Sequence, residues 1–153
     1  MTREIECRQA LPNDARNLAS LRYRWRVEER DERGMGEAEF VDAFTRWTAQ
    51  RSASHQPFIA VDDGEPVGMA WLALVERIPG PARWARLSGI VQSVYVIPER
   101  RDDGIGARLM NLVISRAREQ SLEWLIVHPS RRAVPFYRRL GFTGTTKMLR
   151  LEL

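Results

Sequence analysis

The sequence is poor in cysteine and histidine: its 153 residues include one cysteine, Cys7, and two histidines. A single thiol cannot form an internal disulfide or a cysteine-based metal cluster, so we expect no metal. No apolar run approaches the ~20 residues of a membrane-spanning helix, which predicts that the protein does not enter a membrane. The first residues carry acidic side chains and no apolar signal core, so we expect a cytoplasmic protein.

Two phosphate-binding motifs are also absent. The sequence contains no Gly-x4-Gly-Lys-Ser/Thr and therefore does not support a nucleotide-hydrolysing P-loop. A Gly-x-Gly-x-x-Gly motif is missing because Leu109 stands at the third glycine position. Neither a helix-turn-helix nor an RNA-binding aromatic motif is present, so we expect no nucleic-acid partner despite the net charge of +4.

The composition fits one ordinary domain. Hydrophobic residues make up 44% of the chain and charged residues 29%, and no repeat, low-complexity tract or linker interrupts residues 1–153. We therefore expect a single domain over this range. Most basic residues are interleaved with acidic ones and are expected to be solvated. Three basic pairs lie near the motifs discussed below and could contact an anionic cofactor: Arg100-Arg101, Arg131-Arg132 and Arg138-Arg139.

The hydrophobic pattern predicts an α/β fold with a central mixed sheet flanked by helices, in the order β-α-α-β-β-β-α-β-α-β. The first strand includes Ile5 and Cys7, and a helix follows from Ala15. The remaining elements are predicted as a helix over 38–51, a hairpin over 58–61 and 67–75, a strand over 87–97, a helix over 104–118, a strand over 124–127, a helix over 133–140 and a final strand over 147–153. The element lengths over 87–127 are typical of a right-handed crossover between parallel strands.

The stretch over residues 92–107 leads from a buried strand through a turn directly into an amphipathic helix. Ile105 belongs to the apolar face that would hold this helix against the sheet. Gly104 and Gly106 at the helix start allow a ligand to approach the backbone closely. A helix N-terminus presents unpaired N–H groups and a partial positive charge, so a pyrophosphate is the expected ligand. Arg101 can add a charge-assisted contact to it.

Two motifs carry a resemblance to a known family. Residues 101–106, Arg-Asp-Asp-Gly-Ile-Gly, match the Arg/Gln-x-x-Gly-x-Gly/Ala signature of the GNAT superfamily of N-acetyltransferases, and residues 94–99 resemble its fourth strand and exit. The second motif resembles the family's Asn-x-x-Ala-x-x-x-Tyr-x-x-x-Gly-Phe pattern. It differs in having Ser130 at the Asn position and Pro135 early in the following helix. The matching segments span residues 87–142, over a third of the chain.

The resemblance implies a GNAT-like N-acetyltransferase that uses acetyl-CoA and a primary amine of a small molecule or a protein, with direct attack in a ternary complex. It implies that Val94 and Val96 pair with the pantetheine arm and that the Val94 N–H stabilises the thioester oxygen. Tyr137 would be the general acid that protonates the CoA thiolate. The other implied cofactor-binding residues are Tyr95, Arg101, Asp102, Asp103, Gly104, Ile105, Gly106, Ala107 and Ser130.

The pattern does not assign the general base or the acceptor. Gln92 stands where some relatives carry an acid, and His128 is given no catalytic role. Alternative bases are Glu28, Glu32 and Glu76, each of which is more typical of a surface carboxylate. The aromatic residues that could either line an acceptor pocket or belong to the core are Tyr23, Trp25, Trp71 and Trp84.

A second function stays open because no base is evident. A non-catalytic acyl-CoA-binding sensor or interaction domain would need the same cofactor site and no proton acceptor. The sequence is compatible with a homodimer and does not specify the oligomeric state.

Overall fold

The computed structural model describes residues 4–144 and 147–153. Its centre is a five-stranded sheet in the order β1-β2-β3-β4-β5. The strands are β1 Glu6–Gln9, β2 His55–Asp62, β3 Glu65–Glu76, β4 Leu87–Val96 and β5 Leu125–Val127. The helices are α1 Ala15–Tyr23, α2 Glu37–Gln50, α3 Ile105–Glu119 and α4 Val134–Arg139. Pairings from β1 to β4 are antiparallel and β4 runs parallel to β5, which confirms the predicted α/β class with a mixed sheet.

The two faces of the sheet bury separate cores, because successive side chains of a strand point to opposite sides. In β3, Ala70 and Leu72 pack in the core that contains Leu109 and Val113 of α3. The alternate residues of β3 face the other side, where a second core contains Leu18, Leu21, Ile59, Met69, Trp71 and Tyr95. Helices α1 and α3 therefore lie on opposite faces of the sheet. None of the helices in the described part of the chain is long and apolar enough to cross a membrane.

Gly68 allows the start of α3 to lie close to β3. A Cβ atom at this position would come within 3.2 Å of the Tyr95 carbonyl oxygen and within 3.3 Å of side-chain carbons of Ile105 and Leu109. These distances are tighter than ordinary packing contacts, and one of the neighbours is backbone. The first turn of α3 is thus seated directly on the sheet.

We expect Gly68→Ala to lower the free energy of unfolding by about 1–3 kcal/mol, the usual cost of overpacking a core. Denaturant unfolding followed by circular dichroism would measure it. Gly34→Ala is a matched control, because no atom lies within 4 Å of a Cβ at Gly34. Equal stability of the two variants would show that α3 is not held tightly against β3.

Helix α1 continues as a π-helical segment, Arg24–Glu29, that the sequence pattern did not predict. Such segments widen the helical turn and are frequent at functional sites. Here the segment carries Trp25, whose ring stacks on that of Tyr95 with centroids 5.7 Å apart and an interplanar angle of 12°. The end of the first helix is thereby held against β4.

The strand predicted over residues 147–153 is wrong. The structure describes these residues without a strand, and Leu149, Leu151 and Leu153 are 93%, 80% and 114% exposed. Alternating leucines indicate only that a segment could cover one face of a sheet. A strand also needs an edge with which to pair, and the edge strand β5 has three residues.

Candidate active site

Strands β4 and β5 separate where β5 ends. They pair only through residues 89–91 of β4, whereas β4 continues to Val96. Over residues 92–96, no strand in the described part of the chain pairs with the edge of β4 that faces β5. In open α/β sheets, ligands bind outside the carboxyl ends of parallel strands, and this gap lies there.

The polar backbone groups of Val94 and Val96 face this gap. The Ile97 N–H donates to the Val67 carbonyl of β3 (3.0 Å), whereas the Val96 carbonyl accepts from Arg101 Nε (3.1 Å). Because neighbouring residues of a strand direct their polar groups to opposite edges, those of Val94 point the same way as those of Val96. This is the orientation required for the predicted pairing with pantetheine, which stays a prediction.

A bulge interrupts β4 at Ser93. The register of β3 and β4 shifts between Met69 and Trp71, and Ser93 adopts a positive φ of 53°. Arg22 Nη1 donates to Ser93 Oγ at 3.0 Å. Bulges bend a strand and are frequent next to active sites, and this one lies immediately before Val94.

The turn before α3 leaves a series of amide hydrogens unpaired. Gly104 is the N-cap residue with φ 74°, and the first helical bond runs from the Arg108 N–H to the Gly104 carbonyl (3.1 Å). The N–H groups of residues 105–107 therefore have no acceptor within the helix. Within residues 4–144 and 147–153, none of the N–H groups of residues 102–104 has a protein acceptor either. Six consecutive amide hydrogens can thus bind an anion.

A cavity of about 640 Å³, which we call the α3 cavity, joins this turn to the free edge of β4. It brings together all but one of the predicted cofactor-binding residues: 94–96, 101, 102, 104–107 and 130. The exception, Asp103, is not on the cavity wall, and its carboxylate accepts from Arg100 Nε (2.9 Å). The structure therefore gathers these residues around one cavity, and their binding of a cofactor stays a prediction.

The walls of the α3 cavity are strongly basic. Five arginines line it: Arg30, Arg100, Arg101, Arg132 and Arg139. Each of the three basic pairs in the sequence contributes at least one of these arginines, whereas Arg131 and Arg138 do not line the cavity. Arg30 was not predicted from the sequence. The Arg101 guanidinium donates to Glu29 (2.8 Å), and Arg100 pairs with Asp62 and Asp103, so the charges of these two arginines are already partly compensated. Such a set of cations suits a ligand with several phosphate charges.

Tyr137 lies at the far side of the gap, in a second cavity of about 520 Å³ that we call the Tyr137 cavity. Val94 and Ser130 line both this cavity and the α3 cavity, so the two are continuous. Tyr137 is 7% exposed, and its ring packs edge-on against Phe136 and Phe142. Burial raises the pKa of Tyr137 to about 12, which keeps its hydroxyl protonated at neutral pH.

Tyr95 has its own environment, because its side chain points to the opposite face of the sheet. It is 3% exposed and belongs to the core on the α1 side. Burial raises the pKa of Tyr95 to about 12, and the carboxylate of Glu29 adds to this shift. The Tyr95 hydroxyl nevertheless has no hydrogen-bond partner of normal geometry in the described part of the chain, Glu29 included. Only a structural role for the Tyr95 ring follows from this geometry.

A third cavity, of about 450 Å³, adjoins the Tyr137 cavity at Gln92 and Ser93. It lies between α2 and β3, and we call it the aromatic cavity after four of its lining residues, Phe40, Phe44, Trp47 and Trp71. Arg22 and His55 supply its charged and titratable side chains. Among the described residues, no carboxylate lines this cavity.

His55 is a site residue that sequence reasoning missed, because nothing in its neighbourhood distinguishes it from an ordinary strand residue. Its ring packs edge-on against Trp47 (4.9 Å), and its Nδ1 lies 2.8 Å from Ser54 Oγ. Burial lowers the pKa of His55, and the charge of Arg51 lowers it further. The imidazole is therefore neutral at pH 7 and able to accept a proton.

The carboxylates considered as bases do not line the Tyr137 cavity or the aromatic cavity. Glu28 pairs with Arg24 (3.3 Å), Glu32 pairs with Arg26, and Glu76 is exposed. Of the two histidines, His128 is exposed on the wall of the Tyr137 cavity. The described residues include no group of three or more metal-ligating side chains placed to hold a metal ion.

The four aromatic residues considered for an acceptor pocket have separate places. Trp71 lines the aromatic cavity, and Trp25 lines both the α3 and the Tyr137 cavities. Tyr23 lines a smaller cavity of about 230 Å³ near the end of α1. Trp84 lies on the loop between β3 and β4, is 80% exposed, and does not line any of these cavities.

The fold and the turn define an α/β domain with an anion-binding helix start beside a free strand edge, and comparison with known proteins identifies its family. The chain belongs to the acetyltransferase (GNAT) family, whose model matches residues 16–142. It is 30% identical over 99 residues to the glucosamine 6-phosphate N-acetyltransferase of Trypanosoma brucei brucei. That match covers 65% of this chain and 62% of the relative, so less than two thirds of the relative's length is represented.

Solved structures share the fold over nearly the whole chain. A predicted acetyltransferase from Clostridium acetobutylicum, solved with acetyl-CoA, superposes with a TM-score of 0.79 at 21% identity, covering 97% of this chain and 96% of that one. A GCN5-related N-acetyltransferase from Ralstonia eutropha gives a TM-score of 0.72 at 26% identity, covering 97% and 99%. The fold expected from the sequence motifs is therefore confirmed.

Proposed function

We propose that the protein is an acetyl-CoA-dependent N-acetyltransferase that transfers an acetyl group to a primary amine by direct attack in a ternary complex. One observation supports this most strongly. Six unpaired amide hydrogens at the start of α3 lie beside the free edge of β4, and that edge leads to Tyr137. A diphosphate, an extended amide-containing arm and a thioester occur in this order in acetyl-CoA.

Each part of the site would bind one part of acetyl-CoA. The N–H groups of residues 102–107 would hold the diphosphate, at the positive end of the α3 dipole. The backbone of Val94 and Val96 would pair with the amides of the pantetheine arm, as an added strand does at a sheet edge. The arginines of the α3 cavity would compensate the remaining phosphate charge.

The same residues supply the chemistry. The amine nitrogen attacks the thioester carbon, and the Val94 N–H stabilises the oxygen as it becomes negative. As the carbon–sulfur bond breaks, the Tyr137 hydroxyl donates its proton to the sulfur. The nitrogen loses one proton to water, and a proton from solvent restores Tyr137. The products are an N-acetylamine and free CoA, so the charges and protons balance.

Calorimetric titration with CoA tests the binding half of this proposal. We expect saturable heat at one site per chain, with an affinity that falls as NaCl rises from about 50 to about 500 mM, because salt screens exposed cations. Absence of measurable CoA binding at low salt would contradict the assignment of the α3 turn as the diphosphate site. The chemical half is tested by release of free thiol from acetyl-CoA with a panel of amines that includes glucosamine 6-phosphate, the acceptor named for the trypanosomal relative.

The alternative is a non-catalytic acyl-CoA-binding domain. The observation that favours it is the lack of a described carboxylate on the walls of the Tyr137 and aromatic cavities. It predicts the same heat of CoA binding but no thiol release above the uncatalysed rate with any amine.

A further inference from the structure

We propose that the acceptor amine carries a flat apolar ring and a carboxylate close to the amine, as an aromatic α-amino acid does, and that it binds in the aromatic cavity. This inference rests on the proposed acetyl transfer, because the aromatic cavity meets the Tyr137 cavity at Gln92 and Ser93. An acceptor in the aromatic cavity would therefore present its amine beside Val94.

The cavity walls fit an aromatic ring. Trp71 is met edge-on by Phe44 (5.8 Å between centroids) and by Trp47 (6.3 Å), so the rings support one another from α2 and β3. Trp71 is 4% exposed and therefore held by the core beneath it. A volume of about 450 Å³ lies within the usual range of small-molecule sites. Flat rings gain from offset or edge-on contact with such walls.

Arg22 supplies the second recognition element. It is half-buried, and its hydrogen bond to Ser93 Oγ (3.0 Å) is made to a neutral group. Its guanidinium also lies over the Trp25 ring, 5.3 Å from the centroid. In the described part of the chain, no carboxylate forms an ion pair with Arg22. The nearby Glu32 pairs with Arg26 instead. Burial lowers the pKa of Arg22, and the charge of Arg26 adds to this, yet a guanidinium stays charged. A half-buried cation of this kind is stabilised by a carboxylate ligand.

The position of Arg22 determines where the carboxylate and the amine of the acceptor would lie. It contacts Ser93, the residue before the predicted oxyanion-stabilising Val94. A carboxylate bound to Arg22 thus lies next to the reaction centre, and an amine one carbon away from it is within reach of the thioester. The apolar ring would then extend toward Trp47 and Trp71.

Other acceptor classes lack matching groups in this cavity. Aromatic faces attract cations, but the positive charge of Arg22 and the lack of a lining carboxylate oppose polyamines. An amino sugar would bring several hydroxyls to a wall whose polar side chains are Arg22, His55, Gln92 and Ser93. A hydroxyl directed at the aromatic part of the wall would be buried without a partner, which is costly, so sugars are disfavoured.

A comparison of acceptors with the wild-type protein tests this directly. The panel is L-phenylalanine, L-tryptophan, phenethylamine, tryptamine, L-alanine, spermidine and glucosamine 6-phosphate. We expect kcat/KM for the aromatic amino acids to exceed that for the decarboxylated amines by about 10- to 100-fold, the effect of one charge-assisted hydrogen bond pair. L-Alanine, spermidine and the amino sugar should be poorer still.

Variants of α1 then separate charge from packing. Arg22→Met should lower kcat/KM for L-phenylalanine by about 10- to 100-fold but leave that for phenethylamine within about threefold, because only the former has a carboxylate. Arg16→Met, the same change at an exposed position of the same helix, should leave both values unchanged. If Arg22→Met does not fold, the comparison of acceptors with the wild-type protein still tests the proposal.

The outcomes are distinguishable from failure of the proposed transfer. A best acceptor without a ring or without a carboxylate overturns this inference, and so does binding of acetyl-CoA without turnover of any panel member. Absence of acetyl-CoA binding in calorimetry instead overturns the proposed function.

Discussion

Tyr137→Phe is expected to lower kcat about 100-fold or more, the usual contribution of a general acid, while the Kd for CoA changes less than about twofold. The substitution removes one hydroxyl and keeps the ring that packs against Phe136 and Phe142. Stopped-flow or steady-state release of thiol would measure kcat, and calorimetry the Kd. Thermal unfolding is the control for the fold, since the buried ring is retained.

The pH dependence gives a second readout of the same residue. Because the pKa of Tyr137 is raised to about 12, its hydroxyl remains protonated up to high pH. We expect kcat/KM of the wild type to rise from about pH 6 to about pH 10 as the amine loses its proton, without an alkaline decline in that range. Unchanged turnover in Tyr137→Phe would remove the hydroxyl from the mechanism.

The part of the site that could be predicted from the sequence is local. Segment 87–119 contains a buried strand, a glycine-containing turn and an amphipathic helix in immediate succession, and the structure has β4 and α3 there. The Gly104 backbone, at φ 74°, adopts a conformation that glycine accepts readily. The turn between β2 and β3 is similar, with positive φ at Asp63 and Gly64. Neighbouring residues determine these features, so a single sequence reveals them.

Features that depend on distant contacts were not predictable. The walls of the aromatic cavity come from α1, α2, β2, β3 and β4, and no local pattern shows that these rings meet. The Ser93 bulge depends on the register between two strands. Asp14 immediately precedes α1, a position where a carboxylate commonly caps a helix. Its buried carboxylate instead accepts from Arg8 Nη1 (2.6 Å) and from the Leu11 N–H (2.7 Å).

Gly106→Glu is expected to weaken CoA binding about 100-fold or more without harming the fold. The new carboxylate would compete with the diphosphate for the amide hydrogens at the start of α3. Losing charge-assisted hydrogen bonds worth about 1.5–3 kcal/mol each accounts for this factor. The fold should tolerate the change, because a Cβ at this position lies 3.5 Å from Phe136 Cζ, an ordinary contact. An acidic residue in a first helical turn is itself stabilising by about 0.3–1 kcal/mol.

Gly106→Ala separates the effect of charge from that of added volume. Alanine brings the same Cβ without a carboxylate, and the family signature accepts it at this position, so we expect the Kd for CoA to stay near the wild-type value. Calorimetry with CoA and thermal unfolding of both variants would provide the comparison. In the glutamate variant, CoA affinity and thermal stability should change in opposite directions: the affinity falls while the melting temperature stays level or rises. The stability is maintained because both the replacement of glycine and the helix dipole favour α3. A glutamate variant that binds CoA as tightly as the alanine variant would show that the diphosphate does not lie on these amides.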